Sequence, residues 1–106
     1  MRPASALDVE HDGTNVRIRV AGDIDLGIHQ LLADACADAA RTAGVEHIEV
    51  DLSGVVFCDS GGLGVLIAAR RTAHTLGVTL TVSGATGLVH KVLDVTGVLT
   101  TLADGQ

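Results

Sequence analysis

The chain has 106 residues, which is the size of one compact domain. Thirteen Asp and Glu side chains against seven Lys and Arg side chains give a net charge of −6, and Phe57 is the only aromatic residue. Nucleic-acid backbones and anionic lipids are bound by clustered basic side chains, and unpaired bases stack on aromatic rings. This composition therefore argues against nucleic-acid and membrane partners.

The first part of the chain predicts a hairpin followed by a helix. Residues 7–10 and 16–20 alternate between apolar and polar around a turn that contains Asp12-Gly13, which is typical of two antiparallel strands. From Leu26 the apolar residues recur at helical spacing. Gly44 is a suitable end for this helix.

Later segments alternate strands with helices. The patterns predict a strand over 47–52 continued at 55–57, a mostly apolar helix over 62–76, and a strand over 78–82. A helix is expected around 86–95 and a short strand or helix over 98–102. Such alternation predicts parallel pairing. We therefore expect one α/β domain over residues 1–106, with a patterned core over about 7–102 and a mixed sheet whose antiparallel first strand lies at or near an edge.

Cysteines and histidines give no sign of a metal site. Cys36 and Cys58 lack CxxC spacing, and we expect two reduced side chains that pack as small hydrophobic residues, although the sequence leaves a disulfide open. No segment has the length of a signal peptide's apolar stretch or of a membrane span, so a cytoplasmic location is expected. The histidines have no metal-ligand spacing and are interpreted as surface or hydrogen-bonded residues: His11, His29, His47, His74 and His90.

Three loops are expected at the carboxyl edge of the sheet, where α/β domains place their sites: residues 22–25, 53–62 and 83–86. In the first loop, Asp23 and Asp25 occupy alternate positions and point to the same side. They could face one pocket, or one could cap the following helix while the other is solvated.

The middle loop has the most unusual composition. Asp59 and Ser60 precede three glycines at the start of a predicted helix, and either side chain could cap that helix. A glycine within a helix costs about 1 kcal/mol relative to alanine. Gly61, Gly62 and Gly64 therefore predict close approach of a neighbouring strand or of an incoming molecule.

An enzyme is disfavoured by the same residues. The glycine-rich run contains no lysine and matches neither GxxxxGK[ST] nor GxGxxG, which argues against intrinsic nucleotide binding. No Ser–His–Asp arrangement follows from the spacing. The sequence favours a binding or switch module with no metal and no cofactor of its own.

Four segments in this order resemble the STAS family, and within it the small bacterial anti-sigma-factor antagonists. They are GDID at 22–25, VDLS at 50–53, FCDSGGLGVL at 57–66 and VHKVLDVTG at 89–97. The resemblance spans about residues 7–102. It implies a sheet of four or five strands, mostly parallel, with about four helices.

The resemblance also implies a partner-switching cycle. An anti-sigma factor that is a serine kinase binds ATP and phosphorylates the antagonist at the serine after the aspartate, which is Ser60 here. The unmodified antagonist binds this kinase and releases a sigma factor, the phosphorylated form does not bind, and a serine phosphatase resets it. The resemblance therefore marks Ser60 as phosphoacceptor and places partner binding at Asp23, Asp25, Asp59, Ser60, Gly61, Gly62, Leu63 and Gly64.

Two positions depart from the family pattern. Gly61 stands where a second Ser or Thr is frequent, which leaves one acceptor, and Asp23 stands where Glu is common. STAS-like domains also serve as structural or regulatory subunits of transporters and lipid-transport complexes. In that alternative, Ser60 would only cap the helix and would not be phosphorylated.

Overall fold

A computed structural model describes residues 6–85, and the structural statements below concern these residues. The sheet has the order β1-β2-β3-β4, with β1 antiparallel to β2 and the other two pairs parallel. This confirms the mixed, mostly parallel α/β sheet with an antiparallel edge strand. The elements are β1 (Ala6–Asp12), β2 (Asn15–Ile24), α1 (Leu26–Arg41), β3 (His47–Cys58), α2 (Ser60–Thr75) and β4 (Thr79–Ser83).

The helix count differs from the expectation. Within residues 6–85 there are two helices rather than about four, because this part of the chain contains two parallel crossovers and each crossover holds one helix. The helix predicted around 86–95 and the last element predicted over 98–102 lie outside the described residues.

An aliphatic core lies between the two helices and one face of the sheet. Alternate residues of the strands point into it, as the polar–apolar alternation predicts. Leu31, predicted on the buried face of α1, is exposed, and Cys36 takes a buried place instead. The largest fully buried side chains include Ile18, Ile24, Leu32, Ile48, Leu52, Leu66 and Leu80.

Both cysteines contribute to this core as free thiols, which confirms the sequence interpretation. Burial raises the pKa of the Cys36 thiol to about 12. The pKa of the Cys58 thiol is raised to about 11, mainly by burial and further by the charge of Asp59. Since the thiolate is the reactive form, both side chains act as packing groups at neutral pH.

Strand β3 is longer than the sequence pattern predicts. Its register against β2 shifts twice, so β3 carries an extra residue before Gly54 and another before Phe57. A Cβ at Gly54 would lie 3.2 Å from the Cβ of Ala21, so glycine suits the first bulge. These bulges interrupt the alternation, which is why residues 53–58 had the pattern of a loop.

The longer strands reduce two predicted loops to single residues. Because β2 continues to Ile24 and α1 begins at Leu26, only Asp25 connects them. In the same way only Asp59 connects β3 to α2. Two aspartates thus form the strand-to-helix connections of neighbouring parallel strands.

Candidate functional site

Asp25 and Asp59 cap the two helices at the carboxyl edge of the sheet. The side chain of Asp25 accepts a hydrogen bond from the Gly27 N–H over 3.1 Å, and Oδ1 of Asp59 accepts from the Gly62 N–H over 2.6 Å. The Asp59 N–H donates to the carbonyl of Ile24 over 3.0 Å, which ties the two connections together. Both helices therefore begin side by side.

Ser60 is the first residue of α2 and is exposed. The sequence left open whether Asp59 or Ser60 caps this helix, and the structure assigns the cap to Asp59. The capping explanation for Ser60 is therefore wrong. Its hydroxyl belongs to an exposed residue at the positive end of a helix dipole.

His29 reaches across from α1 as a second donor to Asp59. Its Nε2 atom lies 2.7 Å from Oδ1 of Asp59, and the two side chains are 19% and 31% exposed. The pKa of the Asp59 carboxyl is lowered, first by the Gly62 N–H and also by His29. An ionised carboxylate only accepts, so Nε2 of His29 carries the proton in this bond.

Nothing in the sequence predicts the His29–Asp59 contact. The two residues are 30 positions apart and belong to different elements. The sequence interpretation of His29 as a hydrogen-bonded residue is confirmed. Its partner follows only from the parallel pairing of β2 with β3, which brings the two helix starts together.

Gly61 and Gly62 provide close approach inside the domain. A Cβ at the buried Gly62 would lie 2.5 Å from Cγ2 of Ile24 and 2.9 Å from Sγ of Cys58, so α2 can reach the sheet only with glycine there. A Cβ at Gly61 would overlap the imidazole ring of His29. The neighbours that these two glycines accommodate belong to this chain.

Gly64 differs from the other two glycines. A Cβ there would meet no described atom within 4 Å. Gly64 lines a groove of about 490 Å³ between α1 and α2, where small side chains keep the helices apart. The groove is also lined by Ala33, Ala37, Gly61, Val65, Ala68 and Thr72.

Large apolar side chains are exposed at the same edge. Leu26 is 84% exposed, Val56 68% and Phe57 43%, and the bulge before Phe57 lets two consecutive β3 residues face outward. Asp23 is half-buried in register with Phe57, and Leu63 is half-buried against the core. All eight residues predicted for partner binding lie at this edge, beside an apolar surface of the kind that marks protein contacts.

Two searches of the described residues found nothing that would point to other site types. Residues 6–85 contain no group of three or more His, Cys, Asp or Glu side chains placed to hold a metal ion. In the same range neither helix combines the length and the apolarity needed to cross a membrane.

Comparison with known proteins supplies the family. Residues 7–103 match the family described as "Mlab, STAS domain". The chain belongs to the STAS family. It is 26% identical over 91 residues to the anti-sigma F factor antagonist of Paenibacillus polymyxa, covering 86% of this chain and 78% of that protein.

Solved structures show the same fold for this STAS domain. An anti-sigma factor antagonist of Mycobacterium paratuberculosis superposes with a TM-score of 0.81 at 22% identity, covering 93% of this chain and 83% of that one. The antagonist SpoIIAA in its unphosphorylated form gives 0.79 at 21% identity, covering 90% and 84%. Bacillus SpoIIAA in the phosphorylated form gives 0.74 at 20% identity, covering 92% and 88%.

Asp59 should contribute to the acid sensitivity of the domain. Its pKa is lowered in the folded state, so its stabilisation is complete above the unfolded value of about 3.9 and is lost as the pH falls through the lower folded value. Asp59→Asn keeps an acceptor for the cap but carries no charge. Between pH 5 and pH 2.5, urea unfolding should show wild type losing more stability than this variant.

The difference between the two proteins isolates this residue. The pKa of Asp51 is also lowered, chiefly by hydrogen bonding with Ser53, but Asp51 titrates in both proteins and cancels. Parallel stability curves for wild type and Asp59→Asn over that pH range would contradict the prediction.

Proposed function

We propose that this STAS domain is an anti-sigma-factor antagonist that binds an anti-sigma factor with serine-kinase activity, releases a sigma factor, and loses this binding when Ser60 is phosphorylated. The observation that carries the proposal is the state of Ser60. It is exposed at the first position of α2, and Asp59 rather than Ser60 caps the helix. An exposed serine without a capping role is open to a kinase.

Phosphate at Ser60 is compatible with the fold. It adds about −1.5 to −2 charges and three acceptor oxygens at neutral pH. The N-terminus of α2 carries partial positive charge, which favours a negative group there. The modification should therefore leave the folded domain intact.

Phosphate at Ser60 is incompatible with a closed interface at the same place. Leu26, Val56 and Phe57 are exposed at this edge, and a partner that covers them would exclude water. The dianion would then lie beside the ionised Asp59 in a partly desolvated contact. A tenfold loss of affinity requires only about 1.4 kcal/mol.

The proposed domain is a substrate and a ligand, not a catalyst. ATP is bound by the partner kinase, a serine phosphatase removes the phosphate, and the cycle takes place in the cytoplasm. A structural subunit of a transporter or lipid-transport complex would need Ser60 only as a helix cap. Because Asp59 has that role, the structural alternative leaves the exposed serine without a purpose.

Affinity capture from a native lysate tests partner binding. Wild type and Ser60→Ala should both recover an ATP-binding anti-sigma factor, and Ser60→Asp should not. Loss of the cap is not involved, so Ser60→Ala should change the free energy of unfolding by at most about 1 kcal/mol in a circular dichroism melt. Equal capture by all three proteins would contradict the proposed switch.

Incubation with the recovered kinase and ATP tests the modification. Fragmentation mass spectrometry should locate one phosphate on Ser60, and Ser60→Ala should take up none. Ser53 and Thr72 are hydroxyl-bearing controls within the described residues. Phosphate on either of them instead of on Ser60 would overturn the assignment.

A further inference from the structure

His29 contacts the residues on both sides of Ser60. Its Nε2 atom donates to Asp59 over 2.7 Å, and its ring lies in the space that a side chain at Gly61 would occupy. The ring is mostly shielded from solvent, with 19% of the side chain exposed. A charge placed at residue 60 would therefore lie within a few ångströms of the imidazole.

The surroundings of His29 are acidic. Asp59 in direct contact and Asp25 one turn earlier on α1 cap the two helices. The other titratable groups on the elements packed here are Asp23 at the end of β2 and the neutral Cys58 thiol at the end of β3. A phosphate at Ser60 would add to this negative charge.

Described basic side chains on the two helices are far from this edge. Arg70 lies ten residues beyond Ser60 along α2, and Arg41 lies twelve residues beyond His29 along α1. At 1.5 Å per residue these separations are about 15 Å and 18 Å, beyond the screening length of about 8 Å at physiological ionic strength. His29 is thus the group placed to offset a new negative charge.

We infer that His29 is the charge-balancing residue for phosphate at Ser60. Its Nε2 proton is committed to Asp59, and its Nδ1 atom takes up a second proton from solvent when negative charge is added at residue 60. The inference rests on the proposed phosphorylation of Ser60. It assigns His29 a positioning and electrostatic role, with no contact to reacting atoms.

Linkage gives this role a regulatory consequence. If phosphate favours protonation of His29, then protonation of His29 must favour the phosphorylated form to the same extent. Imidazole groups change charge between about pH 5 and pH 8. Acidification in that range should therefore stabilise the modified domain relative to the unmodified one.

A matched pair of variants tests the coupling without any kinase. Ser60→Asp places a negative charge at residue 60, and Ser60→Asn places a neutral side chain of the same shape. The folded Asp variant should bind more protons than its unfolded chain, so its Tm should gain on the Asn variant by about 2–4 °C between pH 8 and pH 5.5. Every other histidine is common to both proteins and cancels in the difference.

Two further variants identify His29 as the origin of that gain. His29→Gln keeps an N–H donor for Asp59 but cannot be charged, and Gly61→Ala displaces the ring while keeping the histidine. In either background the Asp-minus-Asn difference in Tm should become independent of pH. The same gain in all three backgrounds would overturn the inference.

A phosphoserine incorporated at position 60 during synthesis gives a direct readout. The ³¹P resonance should titrate at lower pH in the protein with His29 than in His29→Gln, because the imidazolium favours the dianion. Identical titration curves would reject the role of His29. Neither measurement requires a kinase, so failure here is distinct from failure of Ser60 phosphorylation by the partner.

Discussion

Replacing Gly62 by valine is expected to lower the free energy of unfolding by about 3 kcal/mol and the Tm by more than 10 °C. The first added carbon would already lie 2.5 Å from Cγ2 of Ile24 and 2.9 Å from Sγ of Cys58. Ile24 and Cys58 are buried in the core, so they have little room to move. The helix must then shift away from the sheet, together with Ser60. Urea unfolding followed by circular dichroism measures the loss.

Gly64→Ala is the matched control for Gly62→Val. Gly64 lies two residues further along the same helix, and a Cβ there meets no described atom within 4 Å. Alanine should therefore raise the free energy of unfolding by about 0.5–1 kcal/mol through its helix propensity and a less flexible unfolded chain. If Gly64→Ala destabilised the domain as much as Gly62→Val, close packing would not explain the glycine at 62.

The edge and order of the sheet could be predicted because local patterns determine them. Strict alternation on either side of Asp12-Gly13 predicted β1 and β2, and the alternation of strands with helices predicted the parallel pairs. The end of β3 could not be predicted in the same way. Its two bulges change the direction of the side chains without a turn residue that would mark a loop, so Val56 and Phe57 both face outward.

The candidate site was predicted as a set of residues but not as an arrangement. Sequence placed Asp59, Ser60 and the glycines at a helix start, yet the cap could be assigned only from the 2.6 Å bond between Asp59 and the Gly62 N–H. Glycine at 61 suggested space for an incoming molecule, whereas the space is filled by His29. Contacts between distant elements depend on the register of β2 with β3, which composition and periodicity do not encode.

These glycine roles decide which variants can separate steric from electrostatic effects on partner binding. Gly62→Val perturbs the core and is unsuitable, since weak binding would then report partial unfolding. Gly61 is exposed, and its close contact is the far end of the His29 side chain, which can rotate away. Gly61→Val therefore adds bulk beside Ser60 while the core stays intact.

Ser60→Asp and Gly61→Val should each weaken binding of the anti-sigma partner at least tenfold, a loss of about 1.4 kcal/mol or more. The aspartate acts by charge, because it adds a carboxylate beside Asp59 at an interface that excludes water. The valine acts by shape, because its β-branched side chain crowds the exposed serine and displaces His29 from Asp59. Isothermal titration with the captured partner measures both losses, and a melt of each variant checks that the domain is folded.

Salt dependence distinguishes the two causes. Charges at a partly exposed site are screened over about 8 Å at 0.15 M salt and about 3 Å at 1 M. Raising the salt concentration should therefore restore part of the affinity of Ser60→Asp relative to wild type and none of the affinity of Gly61→Val. Equal restoration of both variants would show that charge repulsion is not what the aspartate adds. Unchanged binding by both at every salt concentration would place the partner surface away from the start of α2.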